Sequence, residues 1–165
     1  MGRRDLLMDH PMVDRATVWL AIDSVELTAA EISKALGIFP DKEWNTGDAI
    51  GRTGRVRDEN TWYIEETLTS DQCEESANAN LIPRVTEMFS NRVRPFLDRI
   101  ATLGSSVECY TVLSFLAHEA PGIELSHSFL EVLAGIGGTF QIDPTIYGPE
   151  DEMEGWSTLD GFEVS

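Results

Sequence analysis

Apolar and strand-forming residues are grouped along the chain in short runs that are separated by turn-forming residues. Runs rich in β-branched and aromatic residues predict strands at residues 16–22, 60–67, 107–117 and 139–142. The run at 107–117 is the most apolar of them, which favours a central position in a sheet. Residues 41–48 predict a short strand that runs into a turn.

Helical spacing of apolar residues appears after the first strand and again before the last one. Thr28 with Glu31 three residues later is a capping box, so we expect a helix that begins there and ends at Gly37. A second helix is expected between Ser126, which would cap its N-terminus, and Gly137. The buried stripe of this second helix is predicted to consist of Phe129, Leu130, Leu133 and Ile136.

The middle of the chain is also predicted to be helical, and its prolines limit where helices can run. Residues 80–89 and 91–103 indicate two helices, with Pro83 in the first turn of one of them. Pro95 either lies in the first turn of the other or kinks one longer helix. In the last strand region, Pro144 predicts an edge strand or a bulge, because proline cannot donate to a ladder.

The order of these elements predicts an α+β fold, a mostly antiparallel sheet with helices packed on one face. Residues 26–38 resemble residues 124–136, so the fold is expected to contain two pseudo-repeated strand–helix–strand halves. The predicted organisation is a loose leader at 1–15, a single α+β domain at 16–147 and an acidic tail at 148–165.

Charge is the unusual feature of the composition. The chain has 165 residues and a formal net charge of -17. Residues 101–165 contain eleven acidic residues and neither lysine nor arginine. A surface of one sign repels nucleic acid and anionic membranes and attracts basic proteins. We therefore expect no nucleic-acid or membrane partner, and either a basic protein partner or a role of the charge in solubility alone.

The cysteine content and the hydropathy of the chain bear on its cellular compartment. Two cysteines, Cys73 and Cys109, do not make a disulfide framework. No apolar stretch approaches the roughly 20 residues that a membrane-spanning helix requires. The first residues contain no apolar run of the length that a signal peptide needs. We expect a cytoplasmic protein with both thiols free.

Residues that commonly carry catalysis or bind metals are few and are poorly spaced for either role. A cysteine nucleophile needs a positioned histidine, whereas Cys109 belongs to a predicted buried strand. His118 and His127 are nine residues apart across a Pro-Gly loop, which is not the spacing of a metal site on one helix face. Glycine-rich residues 135–138 follow a helix, whereas a phosphate cradle precedes one. We expect no catalytic residue, no metal and no cofactor.

The candidate binding residues are two tryptophans and three arginines. Arg52, Arg55 and Arg57 lie in a glycine-containing segment that predicts a hairpin loop or a mobile flap. Guanidinium groups bind phosphate or carboxylate ligands, although these three could equally pair with the protein's own carboxylates. Trp44 and Trp62 could line a ligand groove or a partner surface near that loop.

Several short motifs, taken in order, resemble a bacterial family called domain of unknown function 4279. The resemblance covers about residues 16–147. It rests on Leu36-Gly37-Ile38 with Pro40, on Trp44 with Gly47-Asp48, on Trp62, on Leu125-Ser126 and the helix to Ile136, and on the close from Asp143 to Tyr147. It implies a single α+β domain and carries over no catalytic residue. The basic loop at 52–57, Pro144 and the acidic tail depart from it.

Two functions follow as expectations. The first is a non-enzymatic acidic protein-binding domain, such as an immunity- or inhibitor-type protein that acts on a basic partner. The alternative is a small-ligand-binding or regulatory domain with a groove near Trp44, Trp62 and the Arg52, Arg55 and Arg57 loop. The sequence leaves the oligomeric state and any catalytic activity open.

Overall fold

The computed structural model describes residues 13–72 and 81–147. Its strands are β1 (Val13–Ser24), β2 (Lys42–Trp44), β3 (Asn60–Thr69), β4 (Glu108–Ala117) and β5 (Thr139–Ile146). Its α-helices are α1 (Ala29–Leu36), α2 (Ile82–Val93), α3 (Leu97–Thr102) and α4 (His127–Ile136). Single 3-10 turns occupy Ser70–Gln72, Arg94–Phe96 and Gly104–Ser106. Each predicted strand overlaps an observed one, in the predicted order.

The strands form one sheet in the order β2-β3-β1-β4-β5. β1 is antiparallel to β3 and to β4, and β2 is antiparallel to β3, whereas β4 and β5 are parallel. The predicted α+β class with a mostly antiparallel sheet is therefore confirmed. The predicted central strand, β4, lies in the interior of the sheet, but the middle position belongs to β1.

The two strand–helix–strand halves pair their strands differently. In the second half, β4 and β5 are direct neighbours. In the first half, β1 and β2 point the same way because both are antiparallel to β3, which lies between them. The halves share the direction of their strands and not their pairing, so the pseudo-repeat stays a prediction.

The helices cover one face of the sheet and enclose the hydrophobic core there. Along β1, Val18, Leu20 and Ile22 alternate with residues of the other face, and none of the three has exposed surface. The helices contribute to the same core Ile32, Leu36, Val85, Phe89, Val93, Phe129, Val132 and Ile136. Helices packed on one face of the sheet are thus confirmed.

The ends of α1 follow the predicted local chemistry. Thr28 Oγ1 accepts a hydrogen bond from the Glu31 N–H at 3.2 Å, and Glu31 Oε2 accepts one from the Thr28 N–H at 2.8 Å. Gly37 ends the helix with a φ of 73°, in the left-handed region that glycine adopts without penalty. The predicted capping box and glycine stop are both confirmed.

The buried stripe of α4 differs from the prediction at Leu130 and Val132, and the predicted Leu133 is only partly buried. The Ser126 hydroxyl caps the helix by accepting from the Phe129 N–H at 3.1 Å, as predicted. Leu130, however, is 47% exposed, and Val132 is fully buried. Phe129, Val132 and Ile136 lie three and four residues apart and so share one face, which leaves Leu130 at its side.

The helical region between β3 and β4 breaks at Pro95, and its predicted boundaries were wrong. α2 carries Pro83 in its first turn and continues to Val93 rather than ending at residue 89. Pro95 has no N–H to donate to a carbonyl four residues earlier, so the chain passes through a 3-10 turn before α3 begins at Leu97. No helix within the described ranges is both long and apolar enough to cross a membrane.

The ends of the domain are partly within the described residues. β1 begins at Val13, whose side chain is fully buried, so the sheet starts inside the segment predicted as a leader. Pro144 lies in β5 at the edge of the sheet, where its missing N–H is tolerated, as predicted. Cys73 and the predicted acidic tail at 148–165 lie outside the described residues.

Arg92 joins α2 to Asp41, which directly precedes β2, and to Glu66 of β3. Arg92 donates through both terminal nitrogens to the two oxygens of Asp41, at 2.7 and 2.8 Å. Arg92 also donates to the Glu65 carbonyl at 2.9 Å and to Glu66 Oε1 at 3.2 Å. The partial burial of Asp41 raises its pKa, but the hydrogen bonds and the charge of Arg92 lower it by more, so that the net shift is downward.

Candidate functional site

We call the face of the sheet that points away from the helices the open face. Ala21, Tyr63 and Val112 belong to it and are 4–6% exposed, yet none of them is part of the core under the helices. The buried apolar residues of the helices all pack into that core instead. Within the described parts of the chain, the open face is therefore a sheet surface that no helix covers.

Strand register arranges the open face in rows. Side chains of directly paired residues point to the same side, so one row follows from each set of partners. Three successive rows are Trp44–Thr61–Asp23–Glu108, Lys42–Tyr63–Ala21–Tyr110–Thr139 and Glu65–Trp19–Val112–Gln141. Aromatic residues fill the middle of this surface, and carboxylates lie along one end of it.

Trp19, Trp44 and Tyr63 form an aromatic cluster on the open face. The rings of Trp19 and Tyr63 have centroids 5.6 Å apart, and those of Trp44 and Tyr63 are 5.9 Å apart in an edge-to-face arrangement. Arg57 stacks over the Trp44 ring at 4.5 Å, and the Lys42 ammonium lies 5.3 Å from the Tyr63 centroid. Trp19 and Trp44 are both partly exposed. The cluster offers rigid aromatic surface of the kind that anchors protein partners.

Two carboxylates face each other in the first row of the open face. Asp23 and Glu108 are directly paired across β1 and β4. Asp23 accepts a hydrogen bond from the Thr61 hydroxyl at 2.6 Å, and Glu108 accepts one from the Tyr110 hydroxyl at 2.5 Å. Burial raises the pKa of Asp23, and the Glu108 charge raises it further, against the lowering effect of the Thr61 hydrogen bond. Like charges placed opposite each other destabilise the sheet locally.

Two more acidic residues extend this pair. Burial raises the pKa of Glu59, and the charges of Asp23, Asp58 and Glu108 raise it further. We call Asp23, Asp58, Glu59 and Glu108 the acidic end of the open face. Its carboxylates repel one another, so a cationic group bound there would relieve repulsion as well as gain attraction.

Trp62 does not belong to any accessible site. Its side chain has no exposed surface and packs edge-to-face on Phe96, with ring centroids 6.0 Å apart. Its indole N–H donates to the Ser33 hydroxyl at 3.1 Å. The prediction that Trp62 lines a groove is therefore corrected, because β3 turns it toward the helices while its neighbour Tyr63 faces the open side.

The three loop arginines lie on a hairpin and do not converge. An antiparallel bridge between Ala49 and Val56 closes this loop, which fits the predicted hairpin. Arg52 and Arg55 are exposed on it, whereas Arg57 lies against Trp44. Among the residues that the structure describes, none of the three forms an ion pair with a carboxylate. Arg57 nevertheless acts on one of the protein's own acids, because its charge lowers the pKa of Asp23.

A cleft of about 500 Å³ lies where β4 and β5 begin and α3 and α4 end. Apolar side chains of Ile100, Val107 and Ile136 line it together with Glu108 of the acidic end. The Cys109 thiol also lines the cleft, and burial raises its pKa to about 11, so the thiol is protonated and a poor nucleophile at neutral pH. The cleft therefore offers one charged side chain among neutral ones.

His118 lies at the opposite end of the sheet and takes part in a different contact. Its Nε2 is 3.1 Å from Asp14 Oδ2 and 2.8 Å from the Tyr147 hydroxyl, which also contacts Asp14. His127 pairs instead with Glu131 on the surface of α4. Across residues 13–72 and 81–147, no group of three or more His, Cys, Asp and Glu side chains is arranged to hold a metal ion.

Sequence reasoning found Trp44 and missed most of the open face. Trp19, Tyr110, Asp23 and Glu108 drew no attention because each lies in or beside a run that was predicted as a strand and interpreted as core. The period of two along β1 and β4 was the available signal, since it places these residues on the side opposite to the fully buried positions.

Fold and site together define a small α+β domain with helices on one face of its sheet and an aromatic and acidic surface on the other. The chain belongs to the family described as "Domain of unknown function (DUF4279)", whose sequence model matches residues 14–147. The suspected family is thus confirmed, over nearly the predicted range. No curated protein and no solved structure matches the chain.

Proposed function

We propose that this protein is a non-enzymatic, cytoplasmic binding domain whose open face recognises a protein with a basic surface, in the manner of an immunity- or inhibitor-type protein. The observation that carries the proposal is the aromatic cluster beside the acidic end, on a sheet face that none of the described helices covers. Tryptophan and tyrosine supply contact area at small entropic cost, and carboxylates select a basic partner.

The whole chain supports the same choice of partner. Its net charge of -17 raises the local concentration of basic proteins and speeds their approach. The acidic end then orients the approaching partner, because its carboxylates are concentrated at one border of the open face. Association is expected to be fast at low ionic strength and to slow as salt is added.

A pull-down from the lysate of the source cell, at low and at raised salt, tests the proposal. The double variant Asp58→Asn/Glu59→Gln removes two charges from the acidic end, and the control Glu87→Gln/Asp98→Asn removes two exposed charges from α2 and α3. Both variants change the net charge by the same amount. The proposal expects capture of one basic protein at low salt, with roughly tenfold weaker binding to the first variant and little change with the control.

Two results would overturn this proposal. Equal loss of binding in the two double variants would show that net charge acts without the acidic end. Capture that is indifferent to salt and to Trp44→Ala would show that neither part of the open face is the interface. Mass spectrometry of the captured protein, followed by titration of the purified pair, measures each of these outcomes.

A second candidate function is a small-ligand-binding or regulatory domain that takes an anionic ligand near Trp44 and the arginine hairpin. Arg57 supports it, because its Nε is buried without a hydrogen-bond partner among the described residues. Arg52 and Arg55, which form no ion pair with any residue that the structure describes, lie on the same hairpin. A thermal-shift screen of phosphorylated and carboxylated metabolites tests it, with Arg55→Ala and Arg57→Ala expected to abolish any shift and Lys34→Ala as the control.

A further inference from the structure

The cleft beside the acidic end has the size and lining of a site for an elongated side chain. It measures about 500 Å³ and opens next to the first row of the open face, where Glu108 lies at its border. Ile100, Val107 and Ile136 supply the apolar part of its lining, and polar atoms supply the larger part. A mixed lining of this kind accepts a long cationic side chain, whose methylene stem packs on apolar atoms while its charged group stays near polar partners.

The charge of this cleft has one sign. Glu108 is the acidic residue of the lining. Burial raises the pKa of Cys109 to about 11 and a hydrogen bond to Glu108 raises the pKa of Tyr110 to about 12, so neither of these two adds a negative charge at neutral pH. Among the described residues Glu108 has no ion-pair partner. Its Oε2 is held by the Tyr110 hydroxyl, which fixes the direction of the carboxylate.

The end of α4 adds to this negative potential. The ten-residue helix ends at Ile136, and the Gly137 N–H donates to the Leu133 carbonyl. The carbonyls that follow Leu133 have no partner within the helix, and they form the negative end of its dipole. Ile136, the last residue of α4, lines the cleft, so this end of the helix borders it. The Glu108 carboxylate and the C-terminus of α4 thus both favour a positively charged ligand in the cleft.

We propose that this cleft binds an alkyl guanidinium or alkyl ammonium group, with the stem between Ile100, Val107 and Ile136 and the cationic head at Glu108. The inference rests on the proposed function in one respect: it assigns the cleft to an arginine or lysine side chain of the basic partner. The same chemistry also describes a free organic cation, and the experiment below separates the two sources.

The test is a titration of the ¹⁵N-labelled full-length protein with N-acetyl-arginine methylamide, followed by amide chemical shifts. The matched ligand is the citrulline analogue, which has nearly the same shape and no charge. Shifts are expected at the amides of Val107, Cys109 and Thr139, with the citrulline analogue at least about tenfold weaker because a charge-assisted hydrogen bond is lost. Agmatine, which lacks the amide groups, represents a free organic cation.

Two variants with matched controls locate the site. Glu108→Gln removes the charge, and its control is Glu87→Gln on the exposed side of α2. Ala101→Phe fills the cleft from an exposed position of α3, and its control is Thr102→Phe, the next exposed residue, which does not line the cleft. Both site variants should weaken the arginine probe about tenfold or more, and both controls should bind as the native protein does.

Equal binding of the arginine and citrulline probes, an unchanged affinity in Glu108→Gln, or shifts that map elsewhere would overturn the inference. Tighter binding of agmatine than of the capped arginine would assign the cleft to a free cation, and the reverse would assign it to a partner's side chain. Because the probe is a small molecule, its failure leaves the open-face proposal standing. Failure of the pull-down, in turn, leaves the titration result unaffected.

Discussion

At the scale of single residues, one step along a strand separates a core residue from a surface residue. Trp44 pairs with Thr61 and so lies on the open face, whereas Trp62, the next residue of β3, points to the helices. Composition treats these two tryptophans alike. Because side chains alternate along a strand, the two tryptophans point to opposite faces of the sheet. A shift of one residue in the register would bring Trp62 to the open face and Trp44 to the helix side.

Substitution of the two tryptophans by phenylalanine should separate these roles. Trp62→Phe removes buried volume and leaves the Ser33 hydroxyl without its indole donor, so we expect a loss of about 2 kcal/mol in the free energy of unfolding. Trp44→Phe keeps most of the ring surface at a partly exposed position and should cost less than about 1 kcal/mol. Urea denaturation of both variants measures the difference. Equal losses would show that the buried position of Trp62 contributes no more to the free energy of unfolding than the partly exposed position of Trp44.

Asp23 makes the stability of the protein depend on pH, because the fold holds its carboxylate partly buried and opposite Glu108. Burial and the Glu108 charge raise its folded-state pKa above that of the unfolded chain. A raised carboxyl pKa destabilises the fold at pH 7, and the penalty disappears as the pH falls below the unfolded value of about 4. Asp23→Asn keeps an oxygen for the Thr61 hydroxyl and removes the charge. It should stabilise the protein at pH 7 by up to about 1 kcal/mol, the scale of a cross-strand charge pair.

Thermal unfolding of Asp23→Asn and of the native protein, at pH 7 and at about pH 4, checks this prediction. The advantage of the variant should be present at the higher pH and vanish at the lower one. Asp143→Asn is the control, since this exposed carboxyl lies on β5, outside the acidic end. A variant that is less stable at both pH values would mean that the carboxylate contributes more through the Thr61 hydrogen bond than it costs.

At the scale of elements, the sequence predicts most reliably what adjacent residues decide. The caps at Thr28 and Ser126 and the stop at Gly37 all follow from contacts within three or four residues, and all are confirmed. The end of α2 at Val93 was missed, because four further residues of helix before Pro95 depend on packing against the sheet. Leu130 was misplaced because an apolar residue gives no sign of which neighbour faces the core.

Arg92 shows how an element is fixed to the sheet by a contact distant in sequence. It joins α2 to Asp41 and Glu66, 51 and 26 residues away. Arg92→Ala should lower the free energy of unfolding by roughly 1–2 kcal/mol, after allowance for partial exposure of the pair. Lys34→Ala, an exposed change on α1, serves as the control. A loss no larger than in this control, measured in urea at pH 7, would mean that α2 is fixed by its apolar contacts alone.

The same ion pair sets a dependence on pH that is opposite to that of Asp23. The net pKa of Asp41 is lowered, so its contribution is present above the unfolded pKa of about 4 and is lost as the pH falls through the folded value. Arg92→Ala should therefore be least harmful in acid. The difference in unfolding free energy between variant and native protein, measured from pH 7 down to about pH 3, should shrink steadily, and a constant difference would contradict the assignment.

At the scale of the whole molecule, the order of strands in the sheet decides which residues are neighbours on the open face. Local sequence does not determine this order. Asp23 and Glu108 are 85 positions apart and become neighbours only because β4 pairs with β1. The cleft needs the ends of α3 and α4 together with the starts of β4 and β5. The class of the fold follows from the order of its elements. The open face follows only from the long-range pairing of strands, which periodicity within each strand does not specify.

Net charge gives the prediction that belongs to this scale. With a charge of -17, the folded chain repels itself more than the expanded one does, so screening should stabilise it. Raising salt from about 10 mM to about 150 mM shortens the Debye length from about 30 Å to about 8 Å. We expect the unfolding temperature to rise by roughly 3 °C, which corresponds to about 1 kcal/mol in a chain of this size.

The two double variants of the binding test make this prediction specific. Asp58→Asn/Glu59→Gln relieves the carboxylates that repel one another at the acidic end, so its unfolding temperature should rise less with salt than that of the native protein. Glu87→Gln/Asp98→Asn has the same net charge and should retain more of the rise. Sucrose in place of salt separates screening from exclusion of a cosolute. If salt instead lowers the unfolding temperature, ion pairs such as the one between Arg92 and Asp41 outweigh the repulsion of the acidic end.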